Sequence, residues 1–153
     1  MNIIKADKTY INVLTDFRLE YLSVGHALSE AEREAFSAQI RGYFERNLGS
    51  VCECFLAEEG GSFTAVIFLI KCEKPANFAF SNGKTAMLMN VYTKPEYRKR
   101  GIASRLLDAV IDYAKSQEIT CIDLSATVMG QPLYLKHGFK MRGNGNSEMR
   151  LKL

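Results

Sequence analysis

The sequence predicts an α/β protein of the α+β kind, one domain over residues 1–153 with a mixed, mostly antiparallel sheet of about seven strands and about four flanking helices. Three observations support this prediction. The length of 153 residues and the apolar content of 47% suit a single packed core. Hydrophobic residues recur with the period of helices in some segments and of strands in others. The two kinds of segment are intermixed, which favours one sheet with helices on both faces.

The N-terminal third predicts a strand and two helices. The stretch NIIKA is a short strand candidate, and Asp7 is placed to cap the helix that follows. Ser29 and Glu32 have the spacing of a capping box, so a second helix begins there and ends at Gly49. Each helix has one apolar face, formed by Tyr10, Val13, Leu14, Phe17 and Tyr21 in the first and by Phe36, Ile40, Tyr43, Phe44 and Leu48 in the second.

The central part changes to strand patterns. VCECFLAE and FTAVIFLIKCE are joined by the glycine turn EGGS and predict an antiparallel hairpin. The second of these strands is apolar on both faces, which indicates a central position in the sheet. After the turn-rich loop KPANFAFSNG, the stretch KTAMLMNVYT predicts a fourth strand that stops at Pro95.

The C-terminal part alternates helices and strands. Residues 101–116 have a helical pattern, ITCIDLSA predicts a fifth strand, and GQPLYLKH fits a short helix with Pro132 in its first turn. The strand–helix–strand unit from Met87 to Leu124 should be right-handed, with its two strands parallel. FKMRG and SEMRLKL fit a closing hairpin around NGN, which completes the seven strands.

Composition argues against several classes of protein. The 20 basic and 17 acidic residues are interspersed and give a net charge of +3, so we expect no nucleic-acid partner. The start MNIIKADKTY lacks a basic segment followed by an apolar run, and no stretch approaches the roughly 18 apolar residues of a membrane span. We therefore expect a cytoplasmic protein without a membrane partner. The 4 cysteines and 2 histidines lack zinc-site spacing, so we expect buried free thiols and no metal.

The stretch VYTKPEYRKRGIAS places a strand end, a proline turn, three basic residues, a glycine and a helix start next to one another. The first amides of a helix have no partner within the helix and bind phosphate well. Gly101 lets the backbone approach a ligand, Ala103 is small, and the basic residues supply positive charge. This pattern predicts a pyrophosphate site that differs from a Walker loop and from a Rossmann fingerprint. The alternative is a solvated basic loop before an ordinary amphipathic helix.

Two motifs carry a resemblance to a known family. Arg98, Gly101 and Ala103 match Q/R-x-x-G-x-G/A, the acetyl-coenzyme A motif of the GNAT superfamily of N-acetyltransferases, and ATVMGQPLYLKHGF is similar to a second family segment. The resemblance is strongest from Met87 to Phe139. It implies a sheet that splays between the fourth and fifth strands. It also implies an enzyme that moves acetyl from acetyl-coenzyme A to a primary amine by direct attack in a ternary complex.

The resemblance also implies roles for individual residues. The strand end would pair with the pantetheine like an added strand, with an amide near Val91 stabilising the oxyanion. Tyr134 matches the family tyrosine beside the sulfur, which would make it the general acid; the alternative is a half-buried helix aromatic. The residues implied to hold the cofactor are Val91, Tyr92 and Thr93 on the strand and Arg98, Lys99, Arg100, Gly101, Ile102, Ala103 and Ser104 on the arm and helix start.

The acceptor is not readable from the sequence. The family builds its acceptor site largely from the first two helices and the loop before the fourth strand. There Tyr21, Phe78 and Phe80 suggest a partly apolar wall, although all three would also suit the core. A small amine, a peptide or protein lysine and an aminoglycoside all stay open as acceptors. A homodimer is open as well.

One departure from the family pattern leaves the general base unassigned. Many members carry a glutamate in the fourth strand, whereas TAMLMNVYT has none and Met87 lies near that place. Glu20, His26 and Glu73 are candidates because they border the predicted groove. The missing glutamate also supports a second function from a different class, a non-catalytic acyl-coenzyme A-binding module that regulates a partner. The retained Tyr134 argues against that alternative.

Overall fold

The computed structural model describes residues 1–143 and 149–153. Its order of strands and helices agrees with the sequence prediction as far as the last helix. The elements are β1 (Asn2–Lys5), a 3₁₀ turn (Lys8–Tyr10), α1 (Ile11–Leu22), α2 (Glu30–Asn47), β2 (Cys52–Glu59), β3 (Ser62–Glu73), β4 (Lys84–Thr93), a second 3₁₀ turn (Pro95–Tyr97), α3 (Ile102–Ser116), β5 (Cys121–Asp123) and α4 (Gln131–Lys136).

The five strands form one mixed sheet in the order β1-β2-β3-β4-β5. The first three pairings are antiparallel, and β4 with β5 is parallel, as expected for strands joined through a helix. β3 lies in the centre, in agreement with its apolar character on both faces. The turn between β2 and β3 needs two residues with positive φ, and Gly60 and Gly61 supply them at +58° and +79°.

Helices cover both faces of the sheet and divide the core into two layers. Alternate residues of β2 show the division, because Cys54 packs toward α1 and α2 whereas Phe55 packs toward α3. The first layer includes Leu14 and Phe17 of α1, and the second includes Leu106 of α3. The α2 helix begins with the predicted capping box between Ser29 and Glu32. The two layers hold β4 between α1 and α3.

The predicted closing hairpin is wrong for the described residues, which form five strands and not about seven. Residues 139–143 and 149–153 have no strand pairing, and the NGN turn lies outside the described residues. Met141, Met149 and Leu151 are 72%, 94% and 82% exposed. Alternating apolar residues form a strand only where a neighbour accepts the hydrogen bonds and a core covers the apolar face. Neither condition is met here, and β5 is likewise shorter than the stretch ITCIDLSA.

A buried carboxylate joins the strands to α3. Glu53 on β2 is 2% exposed. Its Oε1 accepts hydrogen bonds from the Tyr113 hydroxyl at 2.8 Å and from Lys71 Nζ at 3.1 Å, and its Oε2 lies 3.4 Å from Lys5 Nζ. Burial raises the pKa of Glu53, but the bonds from Tyr113 and Lys71 and the charge of Lys5 outweigh it, so the pKa lies below its ordinary value. The network stabilises the ionised carboxylate.

We predict that Glu53→Gln lowers the free energy of unfolding by about 1–3 kcal/mol near neutral pH, because two ammonium groups lose their anion. A carboxylate with a lowered folded pKa stabilises the fold above its ordinary pKa, and this contribution is lost as the pH falls through the folded value. The difference between parent and variant should therefore shrink in acid. Urea unfolding at a series of pH values from neutral to about 3 measures it.

The matched control is Asp112→Asn, which removes an exposed carboxylate on α3 beside Lys115. It should change the free energy of unfolding by no more than about 0.5 kcal/mol at any pH. A difference between Glu53→Gln and the parent that stays constant through the acid range would contradict the charge-based role of Glu53.

Candidate active site

β4 loses one partner and bends half-way along its length. It pairs with β5 only at Thr85, Ala86 and Met87, so the edge from Leu88 to Thr93 has no strand beside it among residues 1–143 and 149–153. On the other edge, Val66 pairs with Tyr92 and Phe68 with Met89, which leaves Asn90 and Val91 both opposite one residue of β3. A β-bulge bends the strand that carries it. Beyond Met87 the chain that follows β5 no longer pairs with β4, and this divergence leaves backbone groups of β4 without a strand partner in the described part of the chain.

The segment between β4 and α3, residues 94–101, is called the arm and contains two residues in the left-handed conformation. Lys99 has φ +59° and Gly101 has φ +75°. A Cβ at Gly101 would meet no atom within 4 Å, so glycine is favoured there by the backbone angle rather than by crowding within the chain. The α3 helix begins at Ile102 without a side-chain cap. The amides of its first turn are thus open to an external acceptor.

Two of the three basic residues of the arm bind the protein itself. Arg98 Nε donates to the Thr93 carbonyl at 3.0 Å, and Arg100 pairs with Glu59 at 2.8 Å. Lys99 is exposed and forms no ion pair with any residue of 1–143 or 149–153. The charge offered to a ligand is therefore smaller than the RKR motif alone suggests.

Tyr134 lies on α4 near the end of α1. Its ring packs edge-to-face on Phe139, with centroids 5.8 Å apart. Burial and then the neighbouring Tyr21 raise the pKa of the Tyr134 phenol above its ordinary value, at which a phenol is already protonated at neutral pH. Tyr21 in turn lies 6.3 Å from the Tyr92 ring at the end of β4. The structure thus brings Tyr21, Tyr92 and Tyr134 together beside the free edge.

Comparison with known sequences identifies the family. The profile of the Acetyltransferase (GNAT) family matches residues 14–139, which is most of the chain. The chain belongs to this family. The resemblance seen in the two sequence motifs is therefore confirmed, and the protein is an acyltransferase. A comparison with curated proteins finds no match.

Solved GNAT structures share the fold over nearly the whole chain. A predicted acetyltransferase from Clostridium acetobutylicum, crystallised with acetyl-CoA, is 26% identical with a TM-score of 0.84, covering 99% of this chain and 95% of that one. A GCN5-related N-acetyltransferase from Ralstonia eutropha JMP134 is 23% identical with a TM-score of 0.83, covering 99% and 97%. The divergence of β4 and β5 therefore occurs in a GNAT fold.

Other predicted residues lie apart from this cluster. Phe78 is fully exposed and Phe80 lies under Lys74, both in the loop before β4 and hence at the opposite end of that strand from Tyr92. Among the candidates for a general base, Glu20 lies 3.9 Å from Lys94 across the α1–β4 contact, whereas Glu73 ends β3 beside Lys84, far from the bulge. His26 is exposed between α1 and α2.

Sequence reasoning missed Arg18 and Asn90. Arg18 Nη1 donates to Asn90 Oδ1 at 3.1 Å, across 72 positions of sequence. The sequence contained a signal for Arg18, because its spacing places it on the same helix face as the apolar residues Leu14, Phe17 and Tyr21. A cation within an otherwise apolar face indicates either a buried partner or a ligand.

Two negative findings concern the described residues. In the parts of the chain that the structure describes, no helix combines the length and apolarity needed to cross a membrane. Over the same residues, no three metal-binding side chains lie close enough to hold an ion.

His137 ties α4 to α3 and so fixes the helix that carries Tyr134. Its side chain is 7% exposed. Nδ1 donates to the Leu133 carbonyl at 2.8 Å, and Nε2 lies 3.1 Å from both Ser104 Oγ and Asp108 Oδ1. Ser104, predicted to bind cofactor, therefore also contacts the second helix of the site.

We predict that His137→Ala destabilises the fold by about 1–3 kcal/mol, because it removes a nearly buried ring and the hydrogen bonds that this ring forms with the Leu133 carbonyl and with Ser104. Thermal unfolding followed by circular dichroism measures the loss. Lys136→Ala, which changes an exposed neighbour on the same helix, should leave the melting temperature nearly unchanged. Equal melting temperatures for His137→Ala and the parent would show that the ring does not hold the two helices together.

Proposed function

We propose that this GNAT protein is an N-acetyltransferase that moves acetyl from acetyl-coenzyme A to a primary amine by direct attack in a ternary complex. The observation that carries the proposal is the divergence of β4 from β5 after Met87, directly before the arm that leads into α3. A free strand edge and a set of open helix amides lie next to each other along the chain. Acetyl-coenzyme A has complementary groups for both, because its pantetheine contains amides that can pair with the strand edge and its pyrophosphate can accept from the helix amides.

The cofactor would be held by residues of β4 and of the arm. On the edge that faces away from β3, backbone groups of Val91, Tyr92 and Thr93 would form hydrogen bonds with the pantetheine amides, as a sheet edge does with an added strand; the Thr93 carbonyl already accepts from Arg98. The amides from Arg98 to Ser104 would hold the pyrophosphate, helped by the charge of Lys99 and the small side chain of Ala103. Ile102 is buried in the core and contributes its backbone only.

The chemistry requires an oxyanion donor and a proton for the departing sulfur. The amine nitrogen attacks the thioester carbonyl, the C–S bond breaks, and the amine loses one proton while the thiolate gains one. The Val91 amide on the bulge is the proposed oxyanion donor. Tyr134 is the proposed general acid, because its phenol, whose pKa burial raises above the ordinary value, carries a proton that it can donate at neutral pH.

The acceptor would enter beside α1, where Tyr21 forms part of the wall. Tyr21 is 39% exposed and contacts Tyr92, so it is available to a ligand at the end of β4. Phe78 and Phe80 lie at the other end of β4 and would contact only an elongated acceptor. With no carboxylate in β4, the proton of the amine would leave to water or to Glu20, which Lys94 holds near the same strand end.

We predict that acetyl-coenzyme A raises the melting temperature of the protein and that Gly101→Ala abolishes most of this shift. Alanine adds a methyl group where the backbone would meet the pyrophosphate, and it disfavours φ +75°. Differential scanning calorimetry with and without millimolar ligand measures both effects. NAD and ATP should give much smaller shifts than acetyl-coenzyme A.

The matched control for this prediction is Gly49→Ala. Gly49 has φ +84° and, like Gly101, has open space where a Cβ would stand, but it lies between α2 and β2. The Gly49→Ala variant should therefore be destabilised by its positive φ as Gly101→Ala is, but acetyl-coenzyme A should still raise its melting temperature by the full amount. No shift with acetyl-coenzyme A in the parent protein would contradict the proposed function.

We predict that Tyr134→Phe keeps the affinity for acetyl-coenzyme A and lowers the single-turnover rate by about 100-fold or more, because the thiolate loses its proton donor in the transition state. The rate is followed as free thiol from about pH 6 to 9. Tyr10→Phe is the control, since that ring has the same edge-to-face contact at 5.8 Å, with Phe63, away from the free edge. A rate for Tyr134→Phe equal to that of the parent would show that Tyr134 contributes to packing and is not the general acid.

A further inference from the structure

Arg18 carries a positive charge that no residue described by the structure neutralises. The side chain is half-buried on α1, and its guanidinium lies 5.5 Å from the centre of the Tyr21 ring. One N–H bonds to Asn90, and no ion pair with Arg18 occurs among residues 1–143 and 149–153. Burial lowers the pKa of Arg18, but its ordinary value is so high that the group stays charged. A partly buried charge without a counter-ion calls for an anion.

Asn90 adds a second unpaired donor at the same place. It is 4% exposed, and it adopts φ +50°, a sparsely populated conformation for a buried side chain. Because arginine only donates, the amide oxygen must face Arg18, and this fixes the position of the amide nitrogen. That nitrogen is buried and has no hydrogen-bond partner in the described structure. Natural proteins rarely leave such a group unpaired, so it indicates a ligand with an acceptor atom.

Among the described residues, no carboxylate supplies the anion. Asp16 and Glu20 each lie two positions from Arg18 on α1, but neither forms an ion pair with it; Asp16 is exposed and Glu20 lies beside Lys94. The guanidinium lies against the Tyr21 ring instead. Asn90 directly precedes Val91, whose amide is the proposed oxyanion donor. An anion bound by Arg18 would therefore lie a few bonds from the reacting amine, which is within the span of one small molecule.

We propose that the acceptor is a small primary amine that also carries an anionic group, a carboxylate or a phosphate, and that Arg18, positioned by Asn90, binds this group. The inference rests on the proposed acetyl transfer and narrows its acceptor class. It assigns Arg18 to substrate recognition, where a guanidinium can bind two oxygens of one anion through parallel N–H donors. It makes Asn90 the residue that orients the guanidinium beside the free edge of β4.

The test is a panel of amino acids and amino phosphates, each paired with its uncharged relative, such as L-alanine with L-alaninamide and O-phosphoethanolamine with ethanolamine. Acetyl transfer is followed as free coenzyme A thiol, and kcat/KM is expressed per concentration of unprotonated amine. We expect the preferred anionic amine to exceed its uncharged partner by roughly tenfold or more. The two kinds of pair distinguish a carboxylate from a phosphate.

Three variants test the residues. Arg18→Gln should lower kcat/KM for the anionic amine by roughly tenfold or more and change the uncharged partner by less than about threefold. Asn90→Asp should also abolish the preference, because the new carboxylate pairs with Arg18 itself. Arg41→Gln is the control, since Arg41 also donates to an asparagine side chain, Asn12, but on the exposed side of α2. Melting temperature and acetyl-coenzyme A affinity confirm that each variant is folded.

The outcomes distinguish an error in the proposed acceptor class from an error in the proposed function. Equal rates within every pair, no transfer to any anionic amine of the panel, or a preference that survives in Arg18→Gln would overturn the role of Arg18 while acetyl-coenzyme A binding persists. Failure of the parent protein to bind acetyl-coenzyme A would overturn the proposed function, and the acceptor class with it. A preference that is lost in Arg18→Gln and kept in Arg41→Gln supports the inference.

Discussion

The site depends on the unequal pairing of β4, which has β3 along one edge and β5 along only three residues of the other. The crossover through α3 brings β5 back parallel to β4, the pairing ends at Met87, and β4 then carries a bulge at Asn90 and Val91. A sheet with an unpaired edge in its interior invites another chain or a ligand to add to it. Helices on both faces leave that edge open only in the gap beyond Met87.

Local patterns in the sequence correctly predicted the elements that carry a regular hydrophobic pattern or a capping motif. β4 occupies the predicted residues 84–93, and the capping box of α2 forms as expected, because both depend on neighbours in sequence. The closing hairpin depended instead on a distant partner. The stretch MRLKL alternates like a strand, yet its apolar side chains are exposed, because alternation says which face would be buried and not whether a neighbour covers it.

The candidate site divides in the same way. The arm and Tyr134 are visible in short motifs because each is made of consecutive residues. The contact between Arg18 and Asn90 joins α1 to β4 across the whole antiparallel hairpin of β2 and β3, and no local pattern contains it. The positive φ of Asn90 is also a product of the bulge, which appears only when the register with β3 is known. Residue types alone therefore gave a specific prediction for the cofactor side and only a general one for the acceptor side.

The basic motif before α3 looks unfavourable for a helix, since cations at a helix N-terminus oppose its dipole by about 0.3–1 kcal/mol each. The structure offsets this cost by pairing. Arg100 binds Glu59 at the end of β2, and Arg98 binds the Thr93 carbonyl at the end of β4, so both charges fasten the arm to the sheet. Between these two contacts, Lys99 and Gly101 adopt the left-handed conformation, which is typical of backbone turns that bind anions through their amides. In the proposed site the arginines would act on the pyrophosphate mainly by positioning the backbone, which would explain why the motif joins basic residues to a glycine.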